Sequence, residues 1–169
     1  MSIGLNTRHI AHRFLKEHVQ PGAFCIDATA GRGRDTLLLC QLAGEKGKVL
    51  AFDIQLEAVA STRKLLEENS MSNWAYVFLE SHTNIDLYAE PKTADAIVFN
   101  FGWLPGGDHT LHTETKTSLD AIQKGLKLLK PGGIMSLCLY YGKETGFAET
   151  DAILKYLETV DNQEYTVVV

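Results

Sequence analysis

The chain has 169 residues, 45% of them hydrophobic, with 16 Lys and Arg against 21 Asp and Glu for a net charge of −5. That suffices for one substantial core and not for two ordinary domains, so residues 1–169 are read as a single domain. The acidity argues against a histone-like grip on nucleic acid, and no apolar stretch approaches the roughly 18 residues of a membrane span; Cys25, Cys40 and Cys138 have neither paired nor zinc-site spacing, which argues against a disulfide scaffold and for a cytoplasmic protein.

In chain order, a helix is predicted at about 7–19. Residues 1–34 hold Arg8, Arg13, Lys16, Arg32 and Arg34 against Glu17 and Asp27, a net of +3 that leaves −8 for the remainder. That end of the domain suits a phosphate partner, although an exposed helix face explains the same charges. Short apolar runs ended by polar residues follow at 23–27, 49–53, 75–80, 94–100, 133–140 and 165–169, and read as strands. Stretches of helical spacing lie between them at 35–43, 56–70, 113–130 and 147–160. The alternation requires crossover connections, hence a doubly wound, mostly parallel α/β sheet with helices on both faces and a ligand crevice at the strands' carboxyl ends.

The first strand runs into Asp27-Ala28-Thr29-Ala30-Gly31-Arg32-Gly33-Arg34-Asp35-Thr36, where Gly31 and Gly33 permit a sharp turn and a close approach to a ligand. A tight strand-to-helix turn alone would need the same glycines. Dinucleotide sites continue to a third glycine, but Thr36 stands there, and Asp27 would repel a pyrophosphate. A cationic ligand such as S-adenosylmethionine would set its positive groups toward the acid and its carboxylate near the helix N-terminus. Asp53 ends the second strand, 22 residues after Gly31, and its carboxylate, with Ile54 and Gln55 beside it, suits the two hydroxyls of a ribose. Ser81 and His82 close the third strand and either line an adenine pocket or are ordinary strand-end residues.

The fourth strand stops at Asn100, and Phe101-Gly102-Trp103-Leu104-Pro105-Gly106-Gly107-Asp108-His109 follows. Asn100 and Trp103 have the Asn-x-x-aromatic spacing used by amino-methyltransferases, in which an amide oxygen accepts hydrogens from an amine and the ring stacks on a base. Asn100 and Asp108 are the candidate catalytic residues. Asp108 or His109 would take the amine's proton, Asp108 alternatively being a turn residue. Tyr140 and Tyr141 reach the same edge after Lys130-Pro131-Gly132-Gly133, a predicted turn ending a long helix, as pocket wall or as amphipathic core.

Taken together, DATAGRGRDT, AFDIQ, the Ser-His pair, FNFGWLPGGDH and LKPGG…YYG resemble the bacterial rRNA methylase-like family of class I S-adenosylmethionine methyltransferases, over almost the whole chain. The resemblance implies a Rossmann-like fold. It also implies methylation of the amine of 5-aminomethyl-2-thiouridine at the tRNA wobble position, so that the partner would be the tRNA anticodon region. On that basis Asp27, Ala28, Thr29, Gly31, Gly33, Asp35, Thr36, Asp53, Ile54, Gln55, Ser81, His82 and Asn100 are expected at the cofactor. Trp103, Pro105, Gly106, Gly107, Asp108, His109, Tyr140 and Tyr141 are expected at the base. Where the family usually reads Gly-Asn-Gly this chain has Gly31-Arg32-Gly33, and Arg32 is expected to reach RNA phosphate instead; Trp103 replaces a more usual Tyr. The family also continues past Val169 through a further strand, so the expectation is a truncated chain or a sheet edge completed by a second subunit, as in a homodimer.

Overall fold

The structure, a computed structural model, describes residues 6–102, 115–140 and 145–169. Helix α1, Thr7–His18, starts where the side chain of Asn6 accepts a hydrogen bond from the His9 N–H. Strand β1, Phe24–Asp27, then enters the sheet and is followed by α2, Arg34–Ala43. Next come β2, Lys48–Asp53, α3, Leu56–Glu68, and β3, Ala75–Leu79. A 3-10 helix, His82–Leu87, leads to β4, Ala94–Phe101. The chain closes with α4, Thr115–Leu128, β5, Leu129–Leu139, and α5, Thr145–Leu157.

Among the described residues the five strands form one parallel sheet in the order β3-β2-β1-β4-β5. The order reverses direction at β1, which is where a doubly wound sheet opens its crevice. Period-two alternation sorts the central strands between two cores. Cys25, Val49, Ala51, Ala96 and Val98 face α1, α2 and α3, packing against Leu15, Leu39 and Val59. Ile26, Leu50, Phe52, Ile97, Phe99 and Phe101 face the other way, against Ala121, Ile122 and Leu128 of α4 and Ile153 of α5. Both faces of the sheet are covered, which is why its central strands read as continuous apolar runs.

The sequence and the structure differ at three places. First, Leu129 already pairs with Ala94, and the register then jumps so that Ala96 pairs with Ile134. The predicted Lys-Pro-Gly-Gly turn is therefore a bulge inside β5, with Gly132 at φ +78°. Asp95 fixes this end of the sheet, accepting from the Phe24 N–H at 2.9 Å and pairing with Lys130. Second, the 3-10 helix was not expected; Ser81 caps it, accepting from the Thr83 N–H. Third, residues 165–169 form no strand. A strand needs a hydrogen-bonded neighbour, and these residues have none among the described ones: Val168 and Val169 are 89% and 97% exposed, while Tyr165 donates its hydroxyl to the Leu126 carbonyl. No helix among the described residues is long and apolar enough to cross a membrane.

Candidate functional site

Asp27, Asp53 and Asn100 lie at the C-terminal tips of β1, β2 and β4 and keep the alternation of their strands, so all three sit on the face of the sheet covered by α1, α2 and α3. The glycine turn between β1 and α2 runs across these tips and is tied to each neighbouring strand. Ala28 donates its N–H to Val98 and Ala30 donates to Phe52, both at 2.9 Å. Gly31, at φ +55°, donates to Asp53 Oδ2 at 2.9 Å. Thr62 of α3 donates its hydroxyl to the Gly31 carbonyl at 3.2 Å.

Gly33 is the N-cap of α2 at φ +78°, with no side-chain capping bond. It has a second reason to be glycine: a Cβ there would lie 2.8 Å from the Thr62 Cα. The first N–H groups of α2 follow it, and a helix start of this kind attracts a carboxylate.

The acids divide the work. Asp27 is fully buried, accepting from the Thr36 hydroxyl at 2.6 Å and from the Thr29 N–H at 3.2 Å. Burial, with the neighbouring Asp35 charge adding to it, raises its carboxyl to about 7 against the lowering effect of those two bonds. Thr36, equally buried, supports Asp27 from below the turn. Asp53 is half-buried and accepts one N–H on each oxygen, from Gly31 and, at 2.9 Å, from Gln55. Burial pushes its carboxyl up as well, opposed by the N–H groups of Gln55, Gly31 and Ile54. Each oxygen keeps a lone pair for a further donor, as a ribose diol requires. Ile54 is exposed beside it, and Gln55 is the N-cap of α3.

Asn100 donates its backbone N–H to Thr29 Oγ1 at 2.7 Å and its side-chain Nδ2 to Asp35 Oδ2 at 2.6 Å. Asp35, in the first turn of α2, is also paired with His12 of α1. Tyr140 is partly exposed just beyond β5, donating its N–H to the Phe101 carbonyl at 3.3 Å, with its Cβ 3.4 Å from where a Cβ at Gly102 would stand.

His82 is turned to the opposite side of the sheet. Its ring meets Phe99 and Phe101 edge-on, with centroids 6.4 and 6.1 Å away. Its Nε2 is buried with no hydrogen-bond partner among the described residues. Burial lowers its pKa to about 4, against the opposing charge of Asp120. Ser81 turns its hydroxyl to Thr83 within the 3-10 helix, 2.8 Å from Thr83 Oγ1. Arg32, the candidate phosphate contact, pairs here with Glu57 at 3.0 Å. Trp103, Pro105, Gly106, Gly107, Asp108, His109 and Tyr141 lie outside the described residues.

Two residues of the site escape sequence reasoning. Thr62 sits mid-helix with nothing to mark it. His12 leaves a faint signal: Arg8, His12, Leu15 and Val19 follow helical spacing on the inward side of α1, where an ionisable ring has to find a partner.

The geometry has relatives. Residues 49–169 match the family described as "Putative rRNA methylase". The chain belongs to this family. A crystal structure described as that of a "putative rRNA-methylase" from Clostridium thermocellum, 37% identical, superposes with a TM-score of 0.91 over 96% of this chain and 87% of that one. A Streptococcus mutans protein described as "a putative methyltransferase" and solved in complex with SAH is 35% identical, with a TM-score of 0.86 over 97% and 88% of the two chains. Among curated proteins, the chloroplastic tRNA (mnm(5)s(2)U34)-methyltransferase of Arabidopsis thaliana is 33% identical over 85% of this chain and 56% of its own length. The rRNA methylase family member described here spans about half the length of the curated relatives it matches.

Proposed function

We propose that the protein transfers a methyl group from S-adenosylmethionine to the amine of 5-aminomethyl-2-thiouridine at the wobble position of tRNA. The observation that carries the reading is the row of Asp27, Asp53 and Asn100 along one edge of the sheet. The buried carboxyls of Asp27 and Asp35 beside the half-buried Asp53 suit a cationic nucleoside better than a diphosphate. The likeness to the Arabidopsis tRNA methyltransferase and to the SAH-bound Streptococcus structure supports the donor and the acceptor class.

In this reading Asp53 would accept the ribose hydroxyls, the uncapped start of α2 would receive the carboxylate, and the charge of Asp27 and Asp35 would face the ammonium and sulfonium. Bound there, S-adenosylmethionine would supply an electrophilic methyl group, and the residues around it would orient the amine nitrogen toward that group and take up the proton the nitrogen gives up. Asn100 accepts an N–H of the neutral amine through its side-chain oxygen and so aims the lone pair at the methyl group. Trp103 or a neighbouring aromatic would pack on the base, and Asp108 or His109 would accept the proton.

Labelled S-adenosylmethionine should mark tRNA that carries the aminomethyl group and leave tRNA lacking it unmarked. Equal labelling of both, or label confined to ribosomal RNA, rejects the substrate. Asn100→Ala should lower kcat by about a hundredfold while the cofactor Kd stays within about threefold, because the amide acts on the acceptor. A loss confined to cofactor affinity contradicts that role.

A further inference from the structure

The side chain of Asn100 is not free to choose its orientation. Its backbone is anchored to Thr29, and its Nδ2 donates to one oxygen of Asp35 while His12 holds the other. The chain His12–Asp35–Asn100 joins α1, α2 and β4, elements separated by 23 and 65 residues, and ends at the strand tips. Asp35 is only 8% exposed, and the His12 side chain is 21% exposed. A carboxylate offers acceptors only, so the end of the amide that faces it has to be the nitrogen. The carbonyl oxygen then occupies the other arm of the same planar group. Turning the amide over would set its oxygen against a carboxylate oxygen, losing a charge-assisted bond and adding a repulsion.

The direction matters to the chemistry proposed above. An amide oxygen facing an amine takes one of its N–H groups and leaves the lone pair free. An inverted amide presents N–H donors, which bind the lone pair that has to attack. We propose that Asp35 and His12 are positioning residues that hold the Asn100 amide with its oxygen toward the acceptor amine: Asp35 by accepting from Nδ2, His12 by fixing the Asp35 carboxylate in line. The inference rests on the methyl-transfer reading for its consequence, but the lock itself is a property of the protein alone.

The test uses the full chain and three variants, with two readouts. His12→Ala removes the anchor on Asp35. His12→Gln keeps an N–H donor near the position of Nε2. Asp35→Asn lets either end of the Asn100 amide find a partner. With labelled S-adenosylmethionine and tRNA bearing 5-aminomethyl-2-thiouridine, His12→Ala and Asp35→Asn should lower kcat about ten- to hundredfold, with His12→Gln restored to near wild type and, for the two His12 variants, cofactor Kd within about threefold. In 15N-labelled protein, the Asn100 side-chain amide should show one exchange-protected hydrogen that loses protection in His12→Ala and Asp35→Asn and regains it in His12→Gln. Wild-type kcat in His12→Ala overturns the proposal. So does an equal loss of kcat in the Ala and Gln variants with amide protection unchanged, since the chain would then only brace α1 against α2. If the wild type transfers no methyl group to this tRNA, the methyl-transfer reading fails, and the amide readout still decides the lock: protection lost with His12 supports it, and protection retained overturns it.

Discussion

On the face of the sheet covered by α1, α2 and α3, the central strands end in Asp27, Asp53 and Asn100; on the face covered by α4 and α5, the same strands present Ile26, Phe52, Phe99 and Phe101. One residue of register separates the two sets. The polar tips are bonded to the turn and to α2. The aromatic side is built differently: Phe99 and Phe101 stack at 5.2 Å between centroids, and the one ring nitrogen placed beside them, Nε2 of His82, has no partner among the described residues. Period two thus lets one short strand supply chemistry to one side and cohesion to the other, and substitutions on the two sides should fail in different ways.

The sharpest break in the comparison is Phe99→Ala. Phe99 is fully buried, and its loss should cost about 3–5 kcal/mol in urea denaturation while leaving the cofactor Kd of the folded fraction unchanged. A shift in that Kd would mean that the two faces are not separable. Asp53→Ala should behave oppositely. Losing the acceptor for two backbone N–H groups and for the ribose should weaken S-adenosylmethionine binding by about 2–4 kcal/mol in calorimetric titration. Unchanged affinity would move the cofactor elsewhere.

The smallest expected effect is a pH dependence on the aromatic side. Because the folded-state pKa of His82 is lowered from 6.5 to about 4, the folded protein binds fewer protons than the unfolded chain between those values. The stability associated with the neutral ring is present above pH 6.5 and lost as pH falls toward 4. Asp27, raised from 3.8 to about 7, works in the other sense, lowering stability as pH rises through that window. His82→Leu should therefore reduce the fall in Tm between pH 7 and about 4.5, exposing the Asp27 contribution. An acid slope identical to wild type would show that the ring is solvated or partnered.

Much of this was legible in the chain. The runs ending in Asp27, Asp53 and Asn100 announce strands whose last residue leaves the core, and Gly31 and Gly33 announce the turn, because each signal is local. What escaped depends on contacts distant in sequence. Nothing near His12 reveals an acid 23 residues away. The run at 165–169 has the composition of a strand, yet composition cannot supply the neighbour that a strand needs. The bulge in β5 follows from the pairing of Leu129 with Ala94, across 34 intervening positions, where a reading of Lys-Pro-Gly-Gly alone finds a turn.

The contact between Gly33 and Thr62 has a geometric consequence. With no side chain at 33, α3 comes so near the start of α2 that even a methyl group would strike its backbone at 2.8 Å. Asp53 and Gln55 stand at the head of α3, and the glycine turn stands at the head of α2. The separation between the Asp53 carboxylate and the first turn of α2 is thereby set as if by a caliper, and any residue larger than glycine at 33 would force the two helix starts apart.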